Sequence, residues 1–105
     1  MATKAQLLTA LSGHIGKGRG ITARHLAGRI DSPERNVRLL VTELRSDGVA
    51  VCGTPRDGYY IAETAEELEE TCNFLRGRAM CSLVIEATLR KVPLADLLGQ
   101  LKLPT

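Results

Sequence analysis

The sequence predicts a mainly α-helical fold that carries one small β-hairpin and ends in a helical extension. Three observations predict it. Apolar residues recur at helical spacing in several windows on both sides of residues 49–61. Residues 49–52 (Val-Ala-Val-Cys) are apolar and rich in β-branching, and residues 59–61 (Tyr-Tyr-Ile) are aromatic and apolar, so each reads as a short strand. Between them Gly53-Thr-Pro-Arg-Asp-Gly58 is dense in turn formers, with Asp57-Gly58 a strong turn pair, and Gly48 stands where the preceding helix needs a left-handed cap.

Residues 4–12 form the first expected helix, with Leu7, Leu8 and Leu11 at helical spacing and Thr3 as cap. Residues 14–20 (His-Ile-Gly-Lys-Gly-Arg-Gly) then break it with three glycines in five positions. Thr22 caps a second helix reaching Ile30, with Ala23, Leu26, Ala27 and Ile30 on one face. Asp31-Ser32-Pro33 is the next punctuation: Ser32 suits the cap, and Pro33 the first helical position, where a missing N–H goes unneeded. A third helix follows from 33 to about 47. Val37, Leu40, Val41 and Leu44 form its apolar stripe, while Arg35, Arg38, Thr42 and, at the edge, Arg45 lie opposite, with Leu39 near the polar side.

Past the hairpin, Thr64-Ala-Glu-Glu67 matches a capping box and opens a helix over 65–90. Glu66, Glu67, Glu69 and Glu70 crowd its start and Arg90 and Lys91 its end, as the helix dipole favours. Leu68, Cys72, Leu75 and Ala79 are spaced four, three, four; beyond Ser82 the stripe shifts to Leu83, Ile85 and Leu89, which is not a regular coiled coil. Pro93 stops this helix and opens another, with Leu94, Leu97, Leu98 and Leu101 on one face.

Two helices joined by a short turn, the second with a basic outer face, form a helix-turn-helix arrangement. A helix running straight into a small hairpin with Arg56 near its tip adds the layout of a winged helix. The expected organisation is a winged helix domain over 1–62 and a C-terminal helical extension over 63–105. The motifs Ile21-Thr-Ala-Arg-His-Leu-Ala27, Leu44-Arg-Ser-Asp-Gly-Val49 and Gly58-Tyr-Tyr-Ile61, in that order, resemble the "type 11" winged helix-turn-helix family, which includes the N-terminal DNA-binding domain of the bifunctional biotin ligase/repressor. The resemblance covers roughly residues 6–62. It implies DNA binding, with no catalytic domain expected to accompany it here. Residues from Thr64 onward resemble only short helical extensions of phage and prophage DNA-binding proteins.

Composition narrows the function classes. With 105 residues and 44% apolar content, one domain with an appendage is expected, and three aromatic residues leave an aliphatic core. No apolar run approaches a membrane span, and the N-terminus lacks a signal-peptide core, so a cytoplasmic protein, associated with the nucleoid of a bacterial or phage-infected cell, is expected. Cys52, Cys72 and Cys81 have no metal-ligand spacing and read as reduced thiols. Residues 1–61 hold nine Lys/Arg against five Asp/Glu, and residues 62–105 five against seven. A basic front half suits a nucleic-acid-binding head, although ordinary solvated charge fits the same numbers.

On the family's motif, the base-reading candidates are Glu34, Arg35, Arg38 and Thr42, on the early and outward part of the third helix. An arginine can pair with O6 and N7 of guanine. Arg45, further along, is expected at a phosphate. Arg56 on the hairpin is placed for a phosphate or the minor groove. Lys17 and Arg19 in the glycine loop are candidates for backbone contact, but the loop is no nucleotide P-loop, because no strand feeds it and no Ser or Thr follows Gly-Lys. Leu39 suits a thymine methyl, a partner protomer or plain exposure. His14 and His25 lack cysteine or carboxylate partners at ligand or triad spacing, so neither catalysis nor a cofactor or metal site is expected.

The expected function is a sequence-specific regulator of transcription on double-stranded DNA, dimeric through residues 64–101. Two rivals stay open: a protein adaptor that uses the winged helix to capture a host factor, and a replication or recombination accessory that grips DNA without sequence preference. The extension packs either within one chain or between two.

Overall fold

The computed structural model describes residues 2–101. It is mainly helical with a single two-stranded antiparallel sheet. In order come α1 (Lys4–Leu11), a 3-10 turn (Lys17–Arg19), α2 (Ala23–Arg29), α3 (Glu34–Ser46), β1 (Val51–Thr54), β2 (Gly58–Ile61), α4 (Ala65–Arg90) and α5 (Leu94–Leu101). The chain divides into two compact units, residues 1–71 and 72–105. No helix among the described residues is long and apolar enough to cross a membrane.

The helices start where side-chain acceptors stand. Thr3 accepts from Gln6 N–H, and the Gln6 side chain returns the bond to Thr3 N–H at 2.8 Å, a full capping box. Thr22 accepts from His25 N–H. α3 departs from expectation by beginning at Glu34, with extended Pro33 in the cap position. Ser32 does not cap it. Its N–H closes α2 onto Ala27 O at 3.0 Å, which holds the residue outside the next helix, and its hydroxyl accepts from Asn36 Nδ2 at 2.6 Å. α2, α3 and α4 end alike: a left-handed residue (Asp31, Gly48, Lys91) lets the following N–H reach five residues back, to Ala27, Leu44 and Ala87.

The hairpin is shifted from its expected span. Val49 N–H is engaged by Leu44 O at 3.0 Å, so β1 begins two residues later and takes in Gly53 and Thr54. Val51 pairs with Ile61, Cys52 with Tyr60, Gly53 with Tyr59 and Thr54 with Gly58. The turn centres on Pro55-Arg56, closed by Asp57 N–H to Thr54 O at 3.2 Å, because proline presets the first central position. Gly58, expected within the turn, opens β2 instead with φ of +73°.

Leu7 and Leu11 of α1, Leu26 and Ala27 of α2, and Val37, Leu40, Val41 and Leu44 of α3 form the core with Ile21 and Val51. The apolar stripes of the three helices thus face one centre, except that Leu8, expected on the α1 stripe, is exposed. Cys52 and Tyr60 lie on the sheet's other face, where the first two turns of α4 cover them. The Cys52 thiol approaches Glu67 O at 3.7 Å, and Thr71 accepts from Gly53 N–H at 3.3 Å. Tyr60 is 1% exposed and hydrogen-bonded to Thr71, and burial pushes its phenol above the ordinary tyrosine range. Apolar residues in succession, rather than alternation, are what a sheet covered on both faces requires. In the second unit Ala87 and Leu97 are buried, with Leu83, Leu94 and Leu98 half-buried.

Candidate nucleic-acid interface

α3 divides cleanly into two faces. Val37, Leu40, Val41 and Leu44 are buried, whereas Arg35, Arg38, Leu39 and Thr42 are exposed. The exposed set, with Pro33 and Asn36, lines one shallow, mostly apolar depression. Arg38 Nη2 lies 3.5 Å from Glu34 Oε2 one turn back, so the two candidates hold one another. Arg35 has no ion pair among the described residues and projects alone. The Thr42 hydroxyl donates to Arg38 O at 3.1 Å, which leaves its lone pairs outward as acceptors. Leu39 is 56% exposed in the middle of this face. Asn36 and Pro33 were not among the expected site residues, since Asn36 carries no charge and Pro33 reads only as a helix start.

Arg45 is turned inward. Its Nε donates to Val51 O at 2.7 Å, tying the end of α3 to the start of β1, and its Nη2 is buried without a hydrogen-bond partner among the described residues. The side chain thus braces the hairpin from below. Arg56 occupies the turn itself and is exposed, with no ion pair among the described residues.

The glycine loop is held firmly against β2. Gly16 N–H donates to Ile61 O, Ile61 N–H to His14 O, and Ile21 and Tyr59 exchange both backbone bonds at 2.8 and 2.7 Å. The ladder brings backbone so close that a Cβ on Gly20 would lie 1.8 Å from Asp57 O, and one on Gly58 2.8 Å from Ile21 O. Within the loop, His14 Nδ1 bonds Arg19 O at 2.7 Å, which makes Nδ1 the protonated nitrogen and Nε2 the acceptor for Arg29 at 2.8 Å.

Glu67 fastens the loop to α4. Thr64 caps that helix by accepting from Glu67 N–H, and the Glu67 carboxylate reaches back toward Thr64 N–H as the weakest of its three backbone contacts. It accepts from Glu63 N–H and, across the fold, from Lys17 N–H, each at 2.8 Å. Those two bonds hold its carboxyl below the usual range. Lys17 Nζ meets Glu70 at 2.7 Å and lies 4.0 Å from Asp57, and the bond to Glu70 raises its pKa. Lys17 is therefore engaged within the chain, while Arg19 two residues on stays exposed without an ion pair among the described residues. No local signal in the sequence pairs residue 17 with residues 67 and 70.

His25 is exposed and bonds Thr22 at 2.9 Å. No group of three or more His, Cys, Asp or Glu among the described residues is arranged to hold a metal ion. Compared with known protein families, curated proteins and solved structures, the chain matches none.

Proposed function

We infer that residues 1–71 form a winged helix-turn-helix DNA-binding head, and that the chain is a sequence-specific regulator of transcription. The observation that carries this reading is the outward face of α3, where Arg35, Arg38 and Thr42 stand exposed on a helix whose other face is fixed in the core. Thirteen residues give a rod about 20 Å long, which suits the major groove. α2 backs it, as the first helix of the pair does when it crosses the DNA backbone.

In this reading Arg35 and Arg38 read base edges, Glu34 sets the pose of Arg38, and Thr42 accepts from a base amine. Arg56 at the hairpin tip, with Arg19, meets phosphate or the minor groove. Arg45 and Lys17 serve indirectly, since both are engaged inside the fold. A protein of this kind would work in the cytoplasm, on the nucleoid.

Fluorescence anisotropy with genomic fragments across a salt series tests the proposal. The expected result is tight binding to few fragments, weakened between roughly fivefold and a hundredfold for each of Arg35→Ala and Arg38→Ala. Uniform binding that salt erases would indicate an accessory that reads only phosphates. A second reading, a protein adaptor, draws on Leu39, an exposed apolar residue inside an apolar depression. It requires function to survive the double arginine substitution and to fail in Leu39→Glu.

A further inference from the structure

The second unit leaves much of its apolar surface open. Leu89 is 78% exposed and Ile85 61%, and Leu75, Met80 and Val84 are exposed as well. One file of residues on α4 keeps a seven-residue register without interruption: Cys72, Leu75, Ala79, Ser82, Glu86 and Leu89, spaced three, four, three, four, three. Its departure from a regular coiled coil lies in the residues, Ser82 and Glu86, and not in the spacing. All but Glu86 are exposed, and Glu86 is half-buried beside Arg90 at 2.8 Å.

We propose that this file is covered by the same file of a second copy of the chain, with the two α4 helices antiparallel. Charge selects the occupant and its direction. A parallel pair would stack Glu86 on Glu86 at a seam position. An antiparallel pair layers Cys72 against Leu89, Leu75 against Glu86 and Ala79 against Ser82, each layer occurring twice by symmetry. It also brings each Glu86 carboxylate beside the other copy's Arg76, which flanks the seam and has no ion pair among the described residues. The small residues Ala79 and Ser82 fall at the centre, where the two backbones come closest. This inference does not depend on what the first unit binds.

Sedimentation equilibrium of the full chain tests the pairing. The expected result is a monomer–dimer equilibrium, with dissociation raised by at least about a hundredfold in Ala79→Glu, which buries a charge twice at the seam. Asn73→Glu adds the same charge to the same helix away from the seam and is expected to leave dissociation unchanged. Circular dichroism of both variants reports whether α4 stays helical. A chain that is monomeric at ~100 µM, or a helical Ala79→Glu variant that dimerises as the native chain does, overturns the proposal.

Thiol trapping in a Cys81→Ser background tests direction. In the antiparallel pair the two Cys72 residues lie about 25 Å apart along the seam at 1.5 Å rise per residue, too far for a disulfide. Leu89→Cys is therefore expected to trap a covalent dimer with Cys72 under mild oxidation. Efficient trapping by Cys72 alone, or none with Leu89→Cys, overturns the antiparallel arrangement.

Discussion

Replacing Gly20 by alanine isolates the contact that fixes the glycine loop to the hairpin. The backbone of Gly20, with φ of −58° and ψ of 148°, suits any residue, so alanine meets no conformational penalty there. The obstacle is space. Its Cβ would stand 1.8 Å from Asp57 O, where contacts under 3.0 Å force something to shift. Both sides are backbone, so no side chain can rotate away, and the displacement falls on the adjacent pair of bonds between Ile21 and Tyr59. Losing that pair costs about 1 kcal/mol per bond, and more if either group stays buried and unpaired. The loss of glycine's freedom in the unfolded chain offsets about 0.4–1 kcal/mol. A net destabilisation of about 1–1.6 kcal/mol follows, rising where a group stays buried and unpaired. Gly18→Ala is the matched control: nothing lies within 4 Å of its Cβ, so the same entropic effect should leave it unchanged or slightly stabilised. Urea unfolding followed by tyrosine fluorescence reads the right place, because Tyr59 and Tyr60 are the only tyrosines and the chain has no tryptophan. A Gly20→Ala variant as stable as the native chain, or a Gly18→Ala variant equally weakened, would refute the reasoning.

Glu67→Gln is expected to lower stability at neutral pH, with a difference that shrinks in acid. Its folded pKa lies below the ordinary value, so its contribution is complete above the unfolded pKa near 4.5 and is lost as pH falls through the folded value; urea midpoints between pH 7 and pH 3 measure it, and a constant difference would contradict it. For DNA binding, Arg56→Ala should reduce the salt slope by about 0.9, whereas Lys17→Ala should alter it little, because the Lys17 ammonium is already paired with Glu70. Equal slopes for the two variants would show that the internal pairing of Lys17 yields to phosphate. Arg35→Ala with Arg38→Ala should remove discrimination among sequences while leaving the urea midpoint in place, since both side chains are exposed.

Features governed by neighbouring residues were legible in the sequence. Thr3 and Thr22 cap as their positions demanded, α4 spans Ala65–Arg90 as expected, and the Val37/Leu40/Val41/Leu44 stripe is the buried one. Features set by how one element hands over to the next were not. β1 starts late because Val49 N–H closes α3, a choice made by the Gly48 corner that strand propensity does not register. Ser32 looked like a cap until the end of α2 claimed its N–H. At the candidate site, Arg35, Arg38 and Thr42 could be placed outward from helical phase alone. Arg45 shares that basic pattern, yet its side chain answers a strand carbonyl that only the folded hairpin supplies.

The clamping of residues 16–21 has an entropic consequence. A segment with three glycines in five positions would ordinarily be the most mobile part of a small domain, ordering only when a ligand arrives. Here its amides are committed to Ile61, Tyr59 and Glu67, so amide hydrogens at Gly16, Lys17 and Ile21 should exchange slowly for so glycine-rich a stretch. Backbone hydrogen bonds at His14, Gly16 and Ile21 tie the loop to the hairpin beside it. A partner that meets Arg19 and Arg56 meets charges whose backbones are already ordered, and the freedom surrendered on binding is confined to the two side chains.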